Sequence, residues 1–173
     1  INKSGNLGFS KANNIGILKA LKLGADYVLL LNNDTLVSLD FLDLLFHYLE
    51  ENHKVAAVSP KIYFAKGFEF HKKRYIAKDL GRVIWYAGGQ IDWKNMYSSH
   101  RGVDEADHGQ YDDLSETDHI SGCCVLIRKS ALEQIGLLNE DLFLYWEDTD
   151  WSIRAKRLDW QLKIFPKAYI WHK

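Results

Sequence analysis

Apolar positions fall along the chain in blocks of two different spacings. YVLLL, residues 27–31, is an uninterrupted apolar run that breaks abruptly into Asn32, Asn33, Asp34 and Thr35, which is the pattern of a strand covered on both faces. VAAVSPKIYF, broken at Pro60, and a stretch from about Ile120 to Ile127 read the same way. Between these runs the spacing becomes helical. Ile15, Leu18, Leu21 and Leu23 follow Ser10, a residue suited to cap a helix, and Gly24 suits its close. Phe41, Leu42, Leu45, Phe46 and Leu49 give a helix from about Leu39 to Glu51 one packed face. A short helix from Ser130, closed by Gly136, and another opening at Glu147 and carrying Trp151, Arg154, Ala155 and Leu158 complete the pattern. Strands alternating with helices predict an α/β sandwich of parallel strands. RVIWYAGGQIDW reads as a hairpin centred on Gly88 and Gly89, and the polar segment after it as a long, solvated loop. The carboxylates of that loop, from Asp104 to Asp118, lack regular ligand spacing and are assigned no chemistry.

Composition narrows the class. A length of 173 residues with 47% hydrophobic and 26% charged content suits one domain, and a net charge of -1 from 22 basic and 23 acidic residues excludes the basic footprint of a nucleic-acid binder. Aromatic content of 13%, with six Trp, fits a site that stacks sugars or bases. Cys123 and Cys124 are adjacent in an apolar run, which argues against a disulfide framework or a zinc site and for a reducing compartment. No apolar run approaches the roughly 20 residues needed to span a bilayer. The expected setting is cytoplasmic, at most peripheral to the inner face of the membrane.

Candidate chemistry gathers at two places. In open α/β sheets ligands bind beyond the carboxyl ends of strands, which places Asn32, Asn33 and Asp34 at a site; the competing reading is a turn that caps the next helix. Upstream, the loop INKSGNLGF brings Asn6 and Gly8 to the start of a helix bearing Asn14, where backbone N–H groups suit a diphosphate, although similar loops open ordinary helices. Near the other end, Glu147, Asp148 and Asp150 start a helix, where the dipole and capping favour acids. The aromatic residues up to Trp146 support an alternative, a carboxylate at the wall of a pocket. His172 ends the last strand.

GNLGFSKANNIGI, LLLNNDT, SGCCVLIRKSALEQIGLLNEDLFLYWEDTDWSIRA and FPKAYIWHK, in this order over nearly the whole chain, resemble the family 2 glycosyltransferases, and most of all their rhamnosyltransferase-like branch. The resemblance implies a GT-A fold, a Rossmann-like sheet with helices on both faces. It also implies inverting transfer of a sugar from a nucleotide-diphospho-sugar donor to a hydroxyl of a saccharide or lipid-linked acceptor, assisted by Mg²⁺ or Mn²⁺, in cell-wall or polysaccharide biosynthesis. By resemblance, Asn32, Asn33 and Asp34 occupy the Asp-X-Asp motif. Asn6, Gly8 and Asn14 fall with them on the donor side, Asp148 is the general base, Trp146 and Glu147 face the acceptor, and Asp34 and His172 hold the metal. Such a reaction is a single displacement and needs no activated Ser, Cys or Lys nucleophile. Asn32 stands where many members have Asp, which lowers metal affinity. The family's opening strand, helix and strand, with its nucleoside-binding acid, have no counterpart here. The chain is therefore expected to be an N-terminally incomplete domain whose exposed sheet edge can pair with another chain. A non-catalytic module that binds sugar, nucleotide or a partner protein is the alternative.

Overall fold

Tyr27–Leu31 forms β1, and its side chains alternate between two cores. Val28 and Leu30 join Ile17, Ala131, Leu132 and Trp151 on one face, while Tyr27 and Leu29 pack toward Phe41, Leu45 and Leu49 on the other. The computed structural model describes residues 5–71, 73–113 and 115–173. Helices α1 (Phe9–Lys22), α3 (Lys129–Ile135) and α4 (Glu147–Arg157) cover the first face, and α2 (Phe41–Glu51) covers the second. The expected sandwich with helices on both faces is present.

The strand directions differ from the expectation of parallel pairing. The central order is β1, β8 (Cys124–Arg128), β3 (Val55–Phe64), β9 (Gln161–His172), β2 (Thr35–Val37). β8 lies antiparallel to both β1 and β3, whereas β3 and β9 run parallel from Val55↔Gln161 to Phe64↔His172. An unbroken apolar run reports burial on both faces and carries no information on direction, so the late insertion of β8 between β1 and β3 was invisible in the pattern. β4 (Ile84–Tyr86) extends the sheet beside β3, and β7 (Ser115–Glu116) lies beside β9. Among the described residues β1 pairs with β8 alone, so its other edge is open. Among the same residues no helix is long and apolar enough to cross a membrane.

Two local features differ from the expectation. Gly8, not Ser10, caps α1: its φ of 78° is a left-handed conformation, and a Cβ there would lie 2.7 Å from the Phe143 backbone oxygen. Ser10 sits inside the first turn and donates its hydroxyl to Leu142 O at 2.8 Å. Gly88 and Gly89 do not form a hairpin turn. They carry the chain out of the main sheet into β5 (Gly89–Asp92), which pairs with β6 (Tyr97–His100) through a turn where Asp92 accepts from the N–H groups of Lys94 and Asn95. Gly89 is bare because the His119 ring occupies its Cβ position, 2.2 Å away.

Several of the loop carboxylates, among them Asp107 and Asp118, are tethers rather than solvated groups. Lys61 is buried and its Nζ lies 2.9 Å from Asp107 Oδ2 and 2.6 Å from Asp112 Oδ1; Tyr63 donates its hydroxyl to Asp107 as well. Asp118 accepts from Lys156 Nζ and the Ile91 N–H. Asp107→Ala leaves the Lys61 ammonium buried with one solvent-exposed partner, and should lower the unfolding free energy by about 3 kcal/mol or more in a denaturant titration. Asp112→Ala, at a carboxylate 68% exposed, should cost less than about 1 kcal/mol. Equal costs would show that the buried pair is not the tether.

Candidate active site

The turn after β1 is closed by its own backbone. Asn32 N–H donates to Cys123 O at 2.9 Å and Thr35 Oγ1 to Asn32 O at 2.7 Å, which leaves Asn33 and Asp34 exposed beyond the strand end. β2 follows at once and pairs Thr35 with His172 of β9. This pairing brings the two residues together: Asp34 Oδ1 lies 3.3 Å from His172 Nε2, and the Asp34 carbonyl accepts from Lys173 N–H at 3.1 Å. The next helix begins only at Phe41, so Asp34 does not cap it.

Asp148, in the first turn of α4, reaches the segment ahead of β8. Its Oδ2 accepts from Gly122 N–H at 3.1 Å and its Oδ1 from Thr149 N–H at 2.7 Å. Gly122 immediately precedes Cys123, whose carbonyl holds Asn32, so Asp148 and the Asp34 turn hang from consecutive residues ahead of β8. A side chain at Gly122 would meet Phe9 Cζ at 2.9 Å, so the close approach of α1, α4 and this segment requires glycine. The neighbouring acids do other work. Asp150 pairs with Arg154 on the helix surface at 2.9 Å. Glu147 is buried, its Oε2 has no hydrogen-bond partner among the described residues, and burial, with Asp148 beside it, pushes its carboxyl pKa upward. Glu147 thus lies beneath the surface it was expected to face.

Aromatic rings floor the space between these groups. Trp85 lies edge-on to His100 and to His172, with centroids 4.5 and 4.7 Å apart, and Tyr86 packs on His100 at 5.0 Å. Burial, and then the nearby His119, push the His100 pKa down to about 4, although the Trp85 carbonyl and Asp148 pull the other way. The imidazole is therefore neutral at physiological pH. Burial and the charge of Asp34 raise the Cys123 thiol to about 12, which keeps it protonated and removes it as a nucleophile. Before α4, Tyr145 and Trp146 hold φ of 70° and 73°. Trp146 there lines an apolar cleft of about 220 Å³ with Trp93, Met96, Tyr97 and Ile153.

Over residues 1–173 the sequence matches the family described as "Glycosyltransferase like family 2". The chain belongs to the family 2 glycosyltransferases. It is 30% identical over 158 residues to the low-salt glycan biosynthesis hexosyltransferase Agl10 of Haloferax volcanii, covering 91% of this chain and 46% of that protein. It is 38% identical over 53 residues, 31% of the chain and 17% of the relative, to the N-acetylglucosaminyl-diphospho-decaprenol L-rhamnosyltransferase of Mycobacterium tuberculosis. The chain thus spans less than half the length of these curated relatives. Its fold is that of the GT-A glycosyltransferases: a crystal structure of GalNAc-T7 with UDP, GalNAc and Mn²⁺ superposes with a TM-score of 0.71 at 15% identity, over 99% of this chain and 31% of that one.

In this glycosyltransferase chain the residues expected on the donor side divide. Asn6 Oδ1 accepts from Gly8 N–H at 3.0 Å, and both residues line an open cleft of about 410 Å³ with Leu7, Ala12 and Ile15. The first N–H of α1 is already committed, since Phe9 N–H donates to Phe143 O at 2.8 Å. Asn14 is buried and turned away, its amide bonded to Leu138 N–H, Leu138 O and Glu140 Oε1. It clasps α1 to the segment before α4 and offers no free group to a ligand. Sequence reasoning missed Gly122, His100 and Trp85. For His100 the glycine pair at 88 and 89 was an indirect signal, because bare backbone inside an apolar pattern marks a close approach, here of His119, whose ring centroid lies 6.0 Å from that of His100.

His100 generates a pH prediction. The unfolded chain protonates it near 6.5 and the folded protein only near 4, so its contribution to stability is complete above about pH 6.5 and lost as pH falls toward 4. The expected slope is up to about 1.4 kcal/mol per pH unit. Denaturant titrations at pH 7, 6 and 5 should show this decline, and His100→Gln should flatten it. An identical decline in the variant would assign the effect to other groups.

Proposed function

We propose that this chain carries the metal- and acceptor-side machinery of an enzyme that transfers a sugar, with inversion, from a nucleotide-diphospho-sugar to an acceptor hydroxyl. The observation that carries the reading is the meeting of Asp34 Oδ1 and His172 Nε2 at 3.3 Å beyond the strand ends, with Asp148 held nearby on Gly122. A carboxylate oxygen and an imidazole nitrogen suit Mg²⁺ or Mn²⁺. Among the described residues no third His, Cys, Asp or Glu joins them, so donor phosphates and water would complete the coordination, as is usual where such ions bind diphosphates. A divalent ion bound there would neutralise charge on the departing nucleoside diphosphate. The Mn²⁺ and UDP named with GalNAc-T7 support this donor class.

Asp148 is suited to take the proton of the attacking hydroxyl. Two backbone N–H groups fix the orientation of its carboxylate. Trp146 and Trp93 offer rings on which an acceptor sugar stacks, and Glu147 lies buried at the helix start behind them. The hexosyltransferase and the decaprenol-linked rhamnosyltransferase among the relatives favour a hexose-type donor and a lipid-linked acceptor. We take residues 1–173 as one domain, and the open edge of β1 as the place where a further strand, from this or another chain, pairs. Asn32, in place of an acid, favours a second reading, sugar or nucleotide binding without turnover; donor binding with no product would select it.

Three variants of the full-length protein test the assignment. Asp34→Ala should abolish the Mn²⁺ dependence of nucleoside diphosphate binding in calorimetry, and an unchanged dependence would remove Asp34 from the metal. Asp148→Asn should lower turnover by roughly 10²–10⁴-fold while leaving donor binding nearly unchanged, with Tm falling modestly because the amide can accept only one of the two backbone N–H bonds, and Glu147→Gln should cost less turnover. Near-normal turnover in Asp148→Asn would exclude it as the base.

A further inference from the structure

Residues 65–82 leave the sheet after β3 and return to it at β4, and their composition departs from the rest of the chain. They carry six basic and two acidic residues, a net of +4 within a chain whose total is -1. On this segment Phe68, Phe70 and Ile76 are 53%, 69% and 58% exposed, and Lys66, Lys73, Lys78 and Arg82 are exposed among them. Three large apolar side chains on one short segment, interleaved with cations, do not resemble the scattered apolar residues of an ordinary surface.

The exposure is built rather than incidental. Glu69 is buried at the neck of the segment and accepts from Gly67 N–H and Gly81 N–H, each at 2.8 Å, which ties the two ends together. Farther out, Asp104 accepts from Arg74 Nη1 at 2.8 Å, contacts His71 Nδ1 at 2.7 Å and accepts from the Tyr75 hydroxyl. Phe70 stands edge-on to the buried Phe64, with centroids 5.0 Å apart. These contacts hold the backbone while the apolar side chains point into solvent. The root lies beside the candidate site, since Ala65 N–H donates to His172 O at 2.7 Å and Trp171 Nε1 to Gly81 O at 2.9 Å.

We propose that residues 65–82 dock the protein on the surface of an anionic lipid bilayer. Phenylalanine and isoleucine side chains partition into the boundary between headgroups and acyl chains, and flanking lysines are drawn to anionic headgroups. Both halves of the pattern are used by that one partner. A nucleic acid would engage the cations and can stack a base on a phenylalanine, but it offers no hydrocarbon for Ile76. Docking here sets the end of the sheet bearing Asp34 and His172 beside the membrane. The inference stands on the charge and exposure of this segment and is independent of the roles given to Asp34 and Asp148.

The test is co-sedimentation of the full-length protein, without donor, with vesicles of phosphatidylglycerol and phosphatidylcholine against phosphatidylcholine alone. Binding should require the anionic lipid and weaken with added salt. Lys66→Glu, Lys73→Glu and Lys78→Glu together should lower partitioning by about 100-fold or more, since each charge near an anionic surface contributes roughly fivefold. Phe68→Ser with Ile76→Ser should lower it by about tenfold or more, because two apolar anchors leave the interface. Phe68→Ser and Lys73→Glu alone should each give a smaller loss, and all variants should keep the wild-type unfolding midpoint. Equal binding to neutral and anionic vesicles, variants that sediment as wild type, or tighter binding to nucleic acid than to vesicles would overturn the proposal. Loss of sugar transfer in the Asp34 or Asp148 variants with vesicle binding intact would bear on the proposed reaction alone.

Discussion

The two prolines of the chain meet at one break in the sheet, and the site depends on that break. Pro60 of β3 pairs with Phe165 of β9, and the next pair is Lys61 with Tyr169, so β9 slips past its neighbour across Pro166, Lys167 and Ala168. Proline has no N–H for the ladder, and such interruptions bend strands and re-aim the residues beyond them. Beyond this one, Lys61 turns inward to Asp107, and the resumed register ends with Phe64 opposite His172. β2 then sets Thr35 against the same His172. A one-residue slip would send the imidazole to the other face of the sheet and separate it from Asp34.

Much of the layer pattern was legible because it rests on local chemistry. The run at 27–31, the amphipathic spacing of α2, the glycines closing α1 and α3, and the acidic start of α4 each follow from a few adjacent residues. Strand direction was not legible, since β8 owes its place between β1 and β3 to pairings with residues about 70 to 100 positions earlier in the chain. The loop acids were misread for a related reason. Asp107 and Asp104 read as solvated until the fold sets Lys61, Tyr63, Arg74 and Tyr75 around them. In the site, Asp34, His172 and Asp148 were marked by motif, whereas Gly122 and His100 act through backbone placement and burial, which no spacing reveals.

The polar groups of the site are set before any ligand arrives. Asp148 is fixed by backbone donors, and the Asp34 turn is closed by Cys123 O and Thr35 Oγ1. Glu147 and His100 lie in surroundings that disfavour their charged forms. A protein relying on flexible surface charges would have to order them at each binding event; here the ordering is part of folding.

Tyr145 and Trp146 hold left-handed backbone conformations in succession, each opposed by sterics of roughly 1–2 kcal/mol for a residue with a Cβ. Glycine at either position would relax the backbone and strengthen the fold, but it would also delete a ring from the approach to the apolar cleft. Removing the strain at Trp146 would therefore reshape the cleft as well as steady the fold. The strain ties the stability of the fold to the shape of the cleft, so that neither can be tuned at Trp146 without moving the other.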